Sequence, residues 1–432
     1  MKAKASVVLK TRLANGLDVC LKEMPTAPLI STWIWYRVGS RQETAGLTGA
    51  SHWVEHMLFK GTPTYPAGVI DRVISRHGGI WNALTNLDWT AYFQTVPADR
   101  VDLTLEIEAD RMTNSIFEPA EVESERTVII SERQGNENDP TFRLSEEVQA
   151  SAFRVHPYHH EVIGDMADLQ AMERDALYQH YRRYYTPGNA VLTMAGAFKS
   201  RPMLKKIREH FGELPRQPDP QRRVRLEPPQ LGERRVTVEG PGETAFLEVA
   251  YRAPRASDPD FMTLVVLDTI LAGASSLAIF AAPIPNATSR LYRSLVEKGL
   301  AAAVAGNLAA TIDPFLYTFH ITVRPDRVPS QVLKALDEEI DRLLQGPIEE
   351  AELLKASKQS RALFAYGSES ITNQAFWLGF SEMFAEYGWF EGYLERLAAT
   401  TCENALELAR RVFVPSQRVV GFYLPSGNGR HG

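Results

Sequence analysis

Three residues combine type and spacing suited to hydrolytic chemistry: His52, Glu55 and His56. They lie in Gly49-Ala50-Ser51-His52-Trp53-Val54-Glu55-His56-Met57-Leu58-Phe59. Ala, Met, Leu and Glu favour a helix there, and no Pro or Gly interrupts residues 50–59. At about 100° per residue, His52 and His56 project from one face a turn apart, and Glu55 lies in the same arc. Imidazoles at i and i+4 can both reach one Zn²⁺ at about 2.0–2.1 Å. Glu55 is placed to act on a water at the metal rather than to ligate. The order H-x-x-E-H inverts the commoner H-E-x-x-H. A pair of histidines on a helix is more often surface or core decoration. The intervening Glu, and the flanks Trp53, Val54, Met57, Leu58 and Phe59 that would bury the site, favour the metal reading.

A catalytic zinc normally has three protein ligands and one open position, so a third ligand must come from elsewhere. A helix expected over 118–134 offers Glu121, Glu123, Glu125 and Glu132. Glu125 and Glu132 stand two turns apart on one face, with Glu121 near it. Acidic helix faces are usually just solvated, and spacing alone selects none of these residues. His156-Pro157-Tyr158-His159-His160-Glu161 is a competing cluster in a loop. Its adjacent His159 and His160 would point apart in an extended chain. Ile80-Trp81-Asn82-Ala83-Leu84-Thr85 reads as a strand whose small and polar residues suit an extended peptide laid alongside. An ordinary sheet strand fits the composition equally well.

These residues need a frame. The chain has 432 residues, more than one core usually holds, so two domains are expected. A formal net charge of −6, without a long block of like charge, gives no reason to expect nucleic acid. Cys20 and Cys402 cannot build a disulfide framework or a cysteine zinc site, and they suit a reducing compartment. The first nine residues carry lysines but no apolar core of a signal peptide. The apolar stretch 264–287 is interrupted by Asp268, Pro283 and Pro285, so no membrane span is expected. The expected location is cytoplasmic.

Strands are expected around the Asn15-Gly16 turn and at 30–38, 80–85 and 88–96. Helices are expected at 97–115, 118–134, 168–186 and 199–211, with a strand at 190–195. A Pro-rich charged linker covers 214–234, carrying Arg222, Arg223 and Arg225. Beyond it the layout repeats: strands at 235–238 and 245–251, then a helix at 260–272 without the histidine motif. A helix at 288–298, strands near 302–310 and 315–324, helices at 329–345, 348–366 and 371–412, and a strand at 418–423 follow. This is an α+β fold with two homologous domains, 1–213 and 235–432, one of which carries a metal site.

The motif residues, continued by Lys60-Gly61-Thr62, resemble the zinc segment of the pitrilysin, insulysin and mitochondrial processing peptidase family, the inverzincins. The resemblance is collinear across the chain. Leu13-Ala14-Asn15-Gly16-Leu17, Gly39-Ser40-Arg41, Asn82-Ala83-Leu84-Thr85, His156-Pro157-Tyr158, Ile163-Gly164 and Tyr185-Thr186-Pro187-Gly188-Asn189-Ala190 all match family landmarks. The resemblance implies that Glu132 is the third zinc ligand and that Glu125 is the supporting acid of the catalytic site. It implies that Asn82 and Ala83 lie on an edge strand that hydrogen-bonds a peptide substrate. It further implies duplicated antiparallel sheets flanked by helices and enclosing a chamber, one Zn²⁺ per chain, and endopeptidase activity with Glu55 as base.

One segment departs from the family pattern. Ser289-Arg290-Leu291-Tyr292-Arg293-Ser294-Leu295-Val296-Glu297-Lys298-Gly299-Leu300-Ala301-Ala302 has Val296 and Ala302 where family enzymes carry an Arg and a Tyr. A dimer is therefore expected, either of two copies of this chain or a heterodimer in which a related subunit supplies that pair. A non-catalytic structural or peptide-binding subunit is the alternative. The apolar segment 271–285 is expected to face the chamber or a subunit interface.

Overall fold

The structure is a computed structural model that describes residues 8–220, 225–277 and 287–426. Strands β1 (Leu9–Arg12) and β2 (Asp18–Glu23) form the hairpin expected at Asn15-Gly16. β3 (Leu29–Tyr36), α1 (Ala50–Met57), α2 (Val69–Arg76), β4 (Ile80–Thr85) and β5 (Thr90–Pro97) follow. Then come α3 (Val101–Asn114), α4 (Pro119–Glu137), α5 (Pro140–Ala152), α6 (Met166–Ala171), α7 (Arg174–Tyr184), β6 (Ala190–Gly196) and α8 (Ser200–Phe211). The later half holds β7 (Arg234–Gly240), β8 (Phe246–Arg252), α9 (Asp260–Leu271), β9 (Ala301–Leu308) and β10 (Leu316–Val323). It continues through α10 (Pro329–Gln345), α11 (Glu350–Tyr366), α12 (Ile371–Phe384), α13 (Gly388–Glu391), α14 (Tyr393–Ala398), α15 (Cys402–Val412) and β11 (Arg418–Pro425).

The first sheet has the order β1-β2-β6-β3-β5-β4 and the second β7-β11-β8-β10-β9. With β1 set aside, the two orders correspond strand for strand. β7 stands for β2, β11 for β6, β8 for β3, β10 for β5 and β9 for β4. The α+β duplication is therefore visible in the topology. The sheets are mixed rather than wholly antiparallel, because the last strand of each returns beside the first: β2–β6 and β7–β11 are parallel pairs.

Two compact units result, and they do not follow the linear division 1–213, 214–234 and 235–432. The first gathers residues through Arg133 with His160–Arg225 and Glu369–Phe390; the second takes Gln134–His159, Leu226–Ser368 and the chain from Glu391 on. The cause is an exchange of covering helices. β3 is buried over seven of its eight residues, so its sheet needs cover on both faces. Trp33 and Trp35 point to one face and pack on Phe376 of α12, at 5.6 and 5.5 Å between ring centroids. A Cβ on Gly379 would meet Trp35 Nε1 at 1.9 Å, so α12 lies close on that face. On the other face Thr32 meets Thr104 of α3 at 3.1 Å. In the second unit α5 packs on β7, β8 and β11.

α5 is an addition to the elements expected. Its start is a common helix signal, Asp139 accepting from the Thr141 N–H with Pro140 in the first turn. The helices expected at 168–186 and 371–412 are broken into α6–α7 and α12–α15. Asp165 and Glu173 start α6 and α7, and Ser370 and Thr401 cap α12 and α15 with their side chains. Over 288–298 the chain forms a π-helix, Tyr292–Val296. Of the apolar segment 271–285, residues 278–285 lie outside the described residues, as do Arg222 and Arg223 in the linker. Among the described residues no helix is long and apolar enough to cross a membrane.

Candidate metal centre

The metal helix is held from its N-terminal end. Gly49 at φ 87° precedes α1, and a Cβ there would meet Ile163 O at 2.4 Å, so only glycine allows the approach. The buried Glu43 carboxylate accepts from the N–H groups of Gly49 (2.8 Å) and Ser51 (2.7 Å). These are first-turn donors that the helix itself cannot satisfy. Burial pushes the Glu43 carboxyl up to about 7, against those two bonds. Ser51 Oγ donates to Gly39 O (3.0 Å) and meets His180 Nε2 of α7 (3.1 Å).

From this helix His52 and His56 project as expected, with ring centroids 4.6 Å apart. Both Nε2 atoms lie 3.8 Å from Glu132 Oε2. His52, His56 and Glu132 are the group, among the described residues, whose ligand atoms all fall within 4.8 Å of one another. Separations of 3.8 Å are too long for hydrogen bonds. They approach the roughly 3.3 Å between ligands of a tetrahedral ion with bonds of about 2.0–2.1 Å. Two imidazoles and a carboxylate suit zinc, so the donor set fits.

α4 brings in the acids. Glu125 is buried and accepts from His56 Nδ1 at 2.8 Å, while Lys60 Nζ sits 2.5 Å from its other oxygen. This bond fixes the His56 proton on Nδ1 and leaves the Nε2 lone pair facing Glu132. Burial would raise the Glu125 carboxyl, but His56 and Lys60 together hold it below its ordinary value. Glu125 thus positions His56 and does not itself join the three donors. α4 is pinned by Arg126, whose guanidinium lies 4.8 Å from the Trp53 ring and donates to Leu169 O and Met172 O. Burial lowers His52 to about 3, with the neighbouring His56 adding to the shift, so its ring is neutral.

Glu55 points to β4, where Thr85 Oγ1 donates to Oε2 at 2.5 Å. Burial raises the Glu55 carboxyl, and the Thr85 bond and the charge of His56 oppose that rise. Thr85, Lys60 and Glu43 are the site residues whose roles the sequence reading missed. Thr85 closes the Asn82-Ala83-Leu84-Thr85 run and Lys60 the motif run, so both lay within segments already singled out. β4 is the edge of its sheet, and alternate residues of an edge strand turn N–H and C=O groups away from the sheet. Asn82 is exposed, Ala83 is buried, and the Ala83 N–H is held by Asn82 Oδ1 at 2.9 Å.

The competing histidines are not gathered. His156 belongs to the second unit and meets Asp313 at 3.1 Å, while His160 belongs to the first and faces Glu43 at 3.8 Å. Glu121 and Glu123 lie outside the donor group, Glu123 being paired with Arg126. In the second unit Val296 ends the π-helix half-buried, and Ala302 is exposed on β9.

Residues 18–166 match the family described as insulinase (peptidase family M16), and residues 171–360 the one described as peptidase M16 inactive domain. A protein of Mycobacterium leprae described as an uncharacterized zinc protease is 30% identical over 95% of this chain and 90% of its own. This chain belongs to the M16 peptidase family. A second relative, zinc protease PqqE of Helicobacter pylori, is 29% identical over 87% of this chain and 82% of its own. The crystal structure of a protease from Helicobacter pylori covers 98% of this chain and 100% of its own, with 26% identity and a TM-score of 0.91. A structure titled peptidase M16 inactive domain, from Pseudomonas fluorescens, shares the fold at a TM-score of 0.87 and 17% identity, covering 97% of this chain and 98% of its own.

Proposed function

We propose that this M16 chain is a zinc-dependent endopeptidase acting on peptides or unfolded polypeptide segments. The observation that carries the reading is the convergence of His52, His56 and Glu132 around one point, with Glu55 on the same helix. Zn²⁺ held by those three residues would supply a Lewis acid that polarises a scissile carbonyl and acidifies water. Glu55 takes the proton of the attacking water and returns it to the leaving amine. Thr85 engages Glu55 Oε2 and leaves Oε1 for that proton. Glu125 keeps the His56 ring in the tautomer whose Nε2 lone pair can ligate a metal. An extended substrate adds to the free edge of β4 at Asn82 and Ala83. The test is zinc content by elemental analysis together with cleavage of quenched-fluorescent peptides, with and without chelator. Loss of cleavage on chelation and recovery on zinc addition support the reading; cleavage indifferent to chelator overturns it.

Val296 and Ala302 favour a second form of it. Neither side chain can donate a hydrogen bond to a substrate carbonyl, and one such donor is worth about 2.7–4 kcal/mol in a hydrolytic site. On this form the chain works in a heterodimer whose related subunit, lacking H-x-x-E-H, supplies an Arg and a Tyr. Zinc-loaded chain alone then cleaves poorly and gains activity when that subunit is added. Full activity alone, unchanged by any related subunit, removes the two-chain form. Stoichiometric zinc with peptide binding but no cleavage in either setting would instead mark a non-catalytic, peptide-binding member.

A further inference from the structure

The duplication gives an internal control for one place in the second unit. In the first unit, where α12 crosses β3 and β5, Thr372 Oγ1 meets Thr95 Oγ1 at 2.9 Å and Thr95 Oγ1 donates to Ser31 Oγ at 2.9 Å. Ser31 and Thr95 are direct cross-strand partners. Three neutral hydroxyls satisfy one another there. At the corresponding place in the second unit α5 packs on β8, and the cross-strand partners there are Glu248 of β8 and His320 of β10. Ser145 Oγ of α5 donates to Glu248 Oε2 at 2.6 Å, and His320 Nδ1 lies 3.2 Å from the same oxygen. The fold needs only hydroxyls at this crossing, so an ionisable pair calls for another explanation.

Glu248 is 3% exposed, and both of its contacts fall on Oε2. Oε1 has no partner among the described residues. A carboxylate oxygen open to a recess can accept from a donor that enters it. It borders a cavity of about 150 Å³ whose walls include Leu144, Phe246, Ala303 and Ala305. Glu248 and His320 are the ionisable residues lining that cavity. A space of about 150 Å³ holds a group the size of benzene, which is one side chain rather than a drug-sized ligand. Apolar walls with a carboxylate at one end match an aliphatic stem ending in a cation. His320 Nε2 is met by Thr318 Oγ1 at 3.1 Å, which orients the ring with Nδ1 towards Glu248. Burial opposes a second proton on His320, and Glu248 favours it enough to raise its pKa above the ordinary value. Once His320 is neutral, the charge of Glu248 is left open to the cavity.

We propose that this cavity is a binding pocket for one basic side chain, arginine or lysine, of a polypeptide, with Glu248 Oε1 as its anchor. The identity of the ligand as polypeptide rests on the peptidase reading; the cation preference does not. The test uses the full chain at alkaline pH and two probes, acetyl-arginine methylamide and its neutral citrulline counterpart, with binding followed by NMR of the probe. The arginine probe is expected to bind about tenfold or more tightly, as a charge-assisted bond implies. Glu248→Gln keeps an acceptor for Ser145 and should abolish the preference. Ala305 stands directly across from His320 on β9 and lines the cavity, so Ala305→Phe should exclude both probes without touching Glu248. Equal binding of the two probes, or a preference unchanged in both variants, overturns the pocket. Peptide cleavage by the same preparation is scored separately. Cleavage without a cation preference removes the pocket and spares the peptidase reading, and a preference without cleavage keeps the pocket and counts only against peptidase activity of the chain alone.

Discussion

Glu125 and Thr85 act at the site through other residues, and each leaves a different signature. Glu125→Ala removes the acceptor of His56 Nδ1–H and the partner of Lys60. Zinc affinity should fall about 10–100-fold, read by competition with a chromogenic chelator, while zinc-saturated protein keeps much of its activity. Undiminished affinity would remove the positioning role. Thr85→Val deletes the donor that offsets the effect of burial on Glu55. With the donor gone the Glu55 carboxyl rises further, so the acid limb of the kcat/KM profile should move to higher pH. A limb that stays in place, or moves to lower pH, would show that Thr85 does not tune the base. The histidine–glutamate motif was legible because a helix turns spacing into direction. Glu132 was not selected by spacing, since Glu121, Glu123, Glu125 and Glu132 all sit on one helix and only the packing of α4 on α1 separates them. That packing runs through Arg126 on Trp53, a tertiary contact no local pattern announces.

At the level of the element, α1 depends on a carboxylate outside it. Glu43 accepts two first-turn N–H groups, and its folded-state pKa stands near 7 against an ordinary 4.5. A carboxyl raised in this way is a stabilising influence that is fully present below about pH 4.5 and lost as pH rises towards 7. Glu43→Gln should therefore flatten the dependence of Tm on pH between those values, even though it lowers Tm overall by spoiling one of the two bonds. A Tm–pH slope identical to that of the parent would contradict the assignment. The capping role was hidden in the sequence because Glu43 lies six residues before Gly49, too far for a local capping pattern; the intervening loop folds it back. Helix ends were the least legible features for a similar reason. The runs 168–186 and 371–412 are rich in helix formers throughout, and their breaks are set by side-chain caps such as Thr401 and by where the chain must turn.

For the whole molecule, the exchange of α5 and α12 decides which helix covers each sheet. Order and type of most elements could be read from hydrophobic period and turn residues, and so could the repeat. What covers each sheet could not, because α12 is an apolar helix with nothing in its own pattern naming Trp33 and Trp35 as its seat. The consequence is testable. Gly379→Leu would force a side chain into the space Trp35 occupies, where even a Cβ would sit 1.9 Å from Nε1. Overpacking of this kind costs about 1–3 kcal/mol or more, so a clear fall in Tm is expected by calorimetry. Residues 1–213 expressed alone would lack Phe376 and expose the Trp33–Trp35 face, and should bind a hydrophobic dye that the full chain does not. A cooperative, dye-negative fragment would show that α12 is dispensable to the first unit.

The proposed hydrolysis requires Glu55 to act beside zinc. The most direct measurement is hydrolysis of a pool of quenched-fluorescent peptides by zinc-loaded protein, purified with whatever partner accompanies it, comparing the parent with Glu55→Gln. The expected result is chelator-sensitive cleavage by the parent. The variant should hold the same zinc and cleave at least about 100-fold more slowly, as loss of a general base implies. A zinc-replete Glu55→Gln protein that cleaves at the parent rate would contradict the mechanism.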